Sequence, residues 1–110
     1  ANIVKINCDN IHDWDSFHDE FSRVLGFPDF YGRNMNAWID CMTSLDHPED
    51  EMTKVHCTKG KVITIELVNV GVFKSKFPEQ FNAILESSSF VNYRRNEIGK
   101  DSVIALSYFA

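Results

Sequence analysis

The run Lys61-Val-Ile-Thr-Ile-Glu-Leu-Val68 constrains the fold of this chain more than any other segment. Its β-branched residues are stiff at χ1 and suit a pleated, packed surface, so it reads as a central strand. Two flanking runs can pair with it. Ile3-Val-Lys-Ile-Asn7 alternates in apolar character and opens the chain, and Val103-Ile-Ala-Leu-Ser-Tyr-Phe109 closes it. The connections between the three are long enough to contain helices, which favours parallel pairing over hairpins. Right-handed crossovers would then set the helices on compatible faces of the sheet. The expectation is an α/β fold: a small three-stranded parallel sheet packed by helices, forming a single domain over residues 1–110.

The intervening segments supply the helices. Asp13 or Asp15 can cap a first helix whose apolar stripe is Phe17, Phe21, Val24 and Leu25, closed by Gly26 and Pro28. Asn34 is a good N-cap for a second, in which Met35, Trp38, Met42 and Leu45 fall on one stripe. Gly32 is expected to supply the freedom for the sharp turn before it. Phe77, Phe81, Ile84 and Leu85 mark a third helix, with Pro78 tolerated in its first turn. Between the second helix and the central strand lies a loop, Asp46 to Gly60, rich in acids at its start.

Composition narrows the class of molecule. A hydrophobic content of 44% with nine Phe excludes a disordered chain. No run approaches the roughly 18 apolar residues of a membrane span, and Ala-Asn-Ile-Val-Lys has no signal-peptide pattern. A cytoplasmic protein without membrane attachment is expected, with a leader trimmed before residue 1 as the open alternative. Cys8, Cys41 and Cys57 are odd in number and lack CxxC spacing, which fits buried free thiols in a reducing compartment. A metal site from His47, His56 and Cys57 matches no standard zinc spacing, and no cofactor is implied.

Charge is unevenly spread. Residues 1–51 hold 11 acids and three bases, a net of −8, whereas residues 52–110 hold five acids and eight bases, a net of +3. An acidic half repels nucleic-acid phosphates and attracts a basic partner by long-range steering. Nucleic-acid binding is disfavoured, although Arg94-Arg95 leaves a small local positive site.

The side of the second helix opposite its apolar stripe carries Arg33, Asn36, Asp40 and Thr43. By spacing alone this is either a solvated face or a binding face. The segment around it is more specific. Pro28-Asp-Phe-Tyr-Gly-Arg-Asn-Met-Asn-Ala-Trp-Ile-Asp-Cys-Met-Thr43 resembles the signature of barstar-like proteins, small intracellular inhibitors of secreted bacterial ribonucleases. The order of the other elements agrees with that family, although only this segment carries the resemblance strongly.

The resemblance implies a barstar-like fold and an inhibitor that places an acidic helix and its preceding loop in a nuclease active site. A ribonuclease must hold phosphate and so collects cations, which a carboxylate on a rigid helix can engage in place of RNA. It implies Asp40 as the central phosphate mimic and Phe30 as the contacting loop aromatic, with Tyr31 beside it. One of those two rings is expected to pack inward. Gly32 and Asn34 shape the loop and offer backbone groups.

Two departures stand out. Asn36 replaces an acid one turn before Asp40, and Ile39 replaces an aromatic. The third-helix acid of the family aligns with Glu86 or Glu79. The loop acids Asp46, Glu49, Asp50 and Glu51 offer a second acidic contact surface able to compensate for Asn36, and Thr43 completes the helix face.

The function expected is therefore an immunity-type inhibitor, without turnover, that binds a basic protein toxin one-to-one and is monomeric when free. The toxin is expected to be a ribonuclease. The alternative is a barstar-fold interaction module for another toxin class or a regulatory partner. A small enzyme finds no support, because no nucleophile–base pair, paired carboxylates or phosphate-cradling loop appears at persuasive spacing.

Overall fold

In a computed structural model that describes residues 2–109, three strands form one parallel sheet in the order β1-β2-β3. These are β1 (Ile3–Asn7), β2 (Ile63–Val68) and β3 (Ile104–Tyr108). Register sets Val4 opposite Ile65 and Ile6 opposite Leu67, and on the other side Ile63 opposite Ile104. Because side chains alternate along a strand, this places Val4, Ile6, Ile63, Ile65, Leu67, Ile104 and Leu106 on one face. That face meets the helices: Ile6, Ile63 and Ile65 are fully buried. The opposite face carries Lys5, Thr64, Glu66 and Ser107, none of them fully buried. The α/β expectation holds, with a one-sided core.

Four helices pack the sheet: α1 (Trp14–Leu25), α2 (Met35–Thr43), α3 (Val70–Lys76) and α4 (Pro78–Glu97). Asp13 caps α1 through a reciprocal pair with Ser16: its carboxylate accepts from the Ser16 N–H at 2.7 Å and the Ser16 hydroxyl accepts from the Asp13 N–H. Gly26 ends α1 in the left-handed region at φ 69°, and a Cβ there would lie 2.6 Å from the Lys54 side chain. This glycine is required twice over, by backbone sign and by space.

One helix escaped the sequence pattern. Val70-Gly-Val-Phe combines weak helix formers and a glycine, so α3 has little intrinsic signal. It forms because Val70 and Phe73 are buried. Pro78 has no N–H and disfavours helix at Phe77, which separates α3 from the 20-residue α4.

Cys8, Cys41 and Cys57 are free and buried. Burial pushes the Cys8 thiol up to about 12 and the Cys41 thiol up to about 11, so both are held as inert thiols. No helix among the described residues is long and apolar enough to cross a membrane. No group of three or more His, Cys, Asp or Glu among them converges to hold a metal.

Candidate functional site on helix α2 and its loop

Asn34 caps α2, its side-chain oxygen accepting from the Ala37 N–H at 2.8 Å. Trp38, Cys41, Met42 and Leu45 are buried beneath the helix, which fixes its rotation. Burying side chains of this size contributes about 1.5–3 kcal/mol each, so the outward face is strongly determined. Asn36 and Asp40 are exposed on it, one turn apart. Thr43 is half-buried, its hydroxyl donating to the Ile39 carbonyl at 2.6 Å. Ile39 is itself partly buried and packs against the core.

The loop before α2 divides its two aromatics. Phe30 is 75% exposed. Tyr31 turns inward: its ring packs on Phe27 with centroids 4.5 Å apart, and its hydroxyl meets His18 Nδ1 at 2.6 Å. Burial lowers the His18 pKa, helped by the Arg33 cation, and burial raises that of Tyr31. A neutral imidazole and a protonated phenol thus pin the base of the loop and leave Phe30 projecting from it.

The turn differs from expectation in one detail. The left-handed residue is Arg33 at φ 53°, and Gly32 does not adopt a positive φ. A side chain in this region costs about 1–3 kcal/mol unless its surroundings hold it there. Arg33 is held by α1: its guanidinium donates to the Asp15 carbonyl at 3.0 Å and pairs with Asp19 at 3.0 Å. It therefore belongs to the α1–loop contact and not to the outward face of α2.

The acids after α2 also need correction. Asp46 is not a surface acid. Its side chain is 8% exposed and receives two hydrogen bonds from Arg95, at 3.0 and 2.7 Å. Arg95 is 3% exposed and also donates to the Thr43 and Asp101 carbonyls at 2.9 and 2.8 Å. Burial alone would raise the Asp46 carboxyl, but the hydrogen bonds and charge of Arg95 outweigh it and hold it below the usual range. The pair leaves neither Asp46 for a partner nor Arg95 for a phosphate.

The other loop acids are exposed but partly engaged. Glu49 meets His47 at 2.7 Å, and Asp50 accepts from the Ser44 hydroxyl at 2.9 Å. Glu51, in the left-handed region at φ 56°, has its N–H donating to the Pro48 carbonyl.

On α4, Glu86 is exposed and lines a shallow groove with Leu85, Ser89, Phe90 and Tyr93. Glu79 instead accepts from the Trp14 indole at 3.2 Å. The neighbour of Asp40 on that helix is a residue with the opposite sign. Arg94 lies 3.9 Å from the Asp40 carboxylate, donates to the Thr43 hydroxyl at 3.1 Å, and sits 5.4 Å over the Phe90 ring. Sequence patterning could not find this contact, because its partners are 51 and more positions apart.

Comparison with known proteins settles the family. The family described as "Barstar (barnase inhibitor)" matches residues 1–104. The chain belongs to the barstar family. The three-stranded parallel sheet with its helices agrees with a barstar fold. A Bacillus subtilis (strain 168) protein named "Putative ribonuclease inhibitor YrdF" is 54% identical over 26 residues, which is 24% of this chain and 29% of that protein. The match is thus confined to under a third of that relative's length. The family's own description is that of an inhibitor of barnase.

Proposed function

We propose that this chain is an immunity-type inhibitor that binds a basic bacterial toxin, a ribonuclease, one-to-one and occludes its active site. The domain, residues 1–110, acts as a cytoplasmic monomer until it meets the toxin. Asp40 enters the cleft in place of the scissile phosphate, and Phe30 packs at its rim. Asn36, Thr43, and the backbone of Gly32 and Asn34 complete the contact. Tyr31 and Ile39 support it from beneath. Glu86 reaches a peripheral cation. Glu49, Asp50 and Glu51 contribute by steering, since exposed acids raise encounter rates more than affinity.

The observation that carries this reading is the state of Asp40. Its side chain is 65% exposed on a helix whose rotation is fixed by Trp38, Cys41 and Met42. A carboxylate presented in this way needs little reorganisation, no more than the opening of its exposed contact with Arg94, before accepting charge-assisted hydrogen bonds from an Arg or Lys cluster.

The test is capture by the tagged chain in lysate of its source cells, followed by RNA-cleavage assays of the isolated complex. The expected result is a basic nuclease at one-to-one ratio, silent in the complex and active once the chain is removed. A captured protein that cleaves RNA while still bound, or one with no nuclease activity after release, would refute the reading and favour a module for another toxin or a regulatory partner.

A further inference from the structure

Arg94 stands on the outward face of the molecule, next to the residue on which the proposed function depends. Its side chain is 44% exposed, and three internal contacts fix it: the Thr43 hydroxyl, the Phe90 ring and the Asp40 carboxylate. The contrast with its neighbour is sharp. Arg95 is 3% exposed and closes on Asp46 at 2.7 Å, whereas Arg94 approaches Asp40 only to 3.9 Å. An exposed pair at that separation is screened and easily opened, so Asp40 stays available to a partner.

The cation nevertheless remains a few ångströms away when a partner arrives. Asn36, one turn before Asp40, is uncharged, so the face made by Asn36, Asp40, Thr43 and Arg94 carries one acid and one base. A cleft lined by contiguous cations would place one of them against Arg94. Water exclusion strengthens that repulsion. A cleft with a carboxylate at that spot gains instead, because the planar guanidinium fork matches a carboxylate in bidentate geometry. Glu or Asp can serve as a nuclease's general base, so a carboxylate at that spot is chemically ordinary, and a cleft that sets only phosphate-binding cations there is the opposite case.

We propose that Arg94 is a specificity-determining residue, selecting a nuclease whose cleft sets a carboxylate beside the cation engaged by Asp40. The proposal rests on the reading that Asp40 enters a nuclease cleft. Its role is discrimination: it accepts mixed-charge clefts and rejects purely cationic ones.

Barnase, the enzyme named in the family description, serves as the probe for the cationic case, since a ribonuclease collects cations where it holds phosphate, in binding titrations at low ionic strength with the full chain. Arg94→Glu should bind barnase tighter than the unaltered chain by about tenfold or more, with Arg94→Gln between them. Adding Asp40→Asn to Arg94→Glu should abolish the gain. Circular dichroism and thermal melting establish that each variant is folded, and if Arg94→Glu is not, Arg94→Gln decides. If Asp40→Asn weakens barnase binding in the otherwise unaltered chain while neither Arg94 variant changes it, the proposal fails and the Asp40 reading stands. If barnase binds the unaltered chain measurably and none of these variants alters that binding, both fall.

Discussion

Two acidic regions adjoin in this molecule, the outward face of α2 and the loop that follows it, and the same residue type serves opposite ends in them. Asp40 on α2 is exposed and only loosely approached by a cation. Asp46, six positions later, is buried in a bidentate pair with Arg95 that also ties down the Thr43 and Asp101 carbonyls. The first carboxylate is available to a partner, and the second holds the scaffold that presents it. What separates them is which arginine of α4 lies opposite, and how closely. An acidic stretch therefore cannot be treated as one interaction surface.

The largest effect that would sharpen this contrast comes from breaking the buried pair. Arg95→Ala strands the Asp46 carboxylate in the interior and should cost about 3–5 kcal/mol of stability in urea unfolding. A loss below 1 kcal/mol would place Asp46 with the surface acids after all. The pair also has a pH signature. The folded Asp46 carboxyl titrates below its ordinary 3.8, so its contribution is whole above that pH and is lost as pH falls through the lowered value.

Next comes the exposed acid. Asp40→Ala should weaken binding to the cognate nuclease by about 2–5 kcal/mol, a range carried over from the barnase–barstar pair, because the partner's cations lose their counter-charge. Folding stability should barely move. Equal affinities for Asp40→Ala and the parent chain would erase the distinction between the two regions from the other side.

The smallest effect concerns the remaining loop acids. Neutralising Glu49, Asp50 and Glu51 together should slow association at low salt and leave dissociation nearly unchanged, since exposed charges act over a Debye length. An altered off-rate measured by surface plasmon resonance would show direct contact and promote the loop to a second binding surface.

Local features of this fold were legible in the chain. The Asn34 cap, a cap at Asp13 or Asp15 that the structure resolves to Asp13, and the Trp38–Met42 stripe declare themselves through neighbours three and four positions away. The three strands were equally readable from β-branched runs. Helix α3 was not, because Val70, Gly71 and Val72 have weak propensity and tertiary burial decides their conformation. The turn at residues 32 and 33 was misassigned because propensity favours glycine for positive φ, while the ion pairs to Asp15 and Asp19 that hold Arg33 there come from another helix.

The same limit governed the candidate site. The motif pointed to Asp40, Phe30 and Tyr31, and packing then divided the two rings. The partners of Asp40 and Asp46 lie on α4, about 50 positions distant, and nothing in the pattern of Arg94-Arg95 tells which arginine is buried. Charge counting registered these residues as a local positive site, whereas the fold spends one inside and sets the other against an acid.

The clamp at Arg95 has a mechanical meaning for any bound complex. One guanidinium joins the end of α2, the start of the following loop and the approach to β3. The proposed face of α2 is thereby braced from below: a load placed on it is shared by α4 and by the lead into β3, through a side chain that is itself buried.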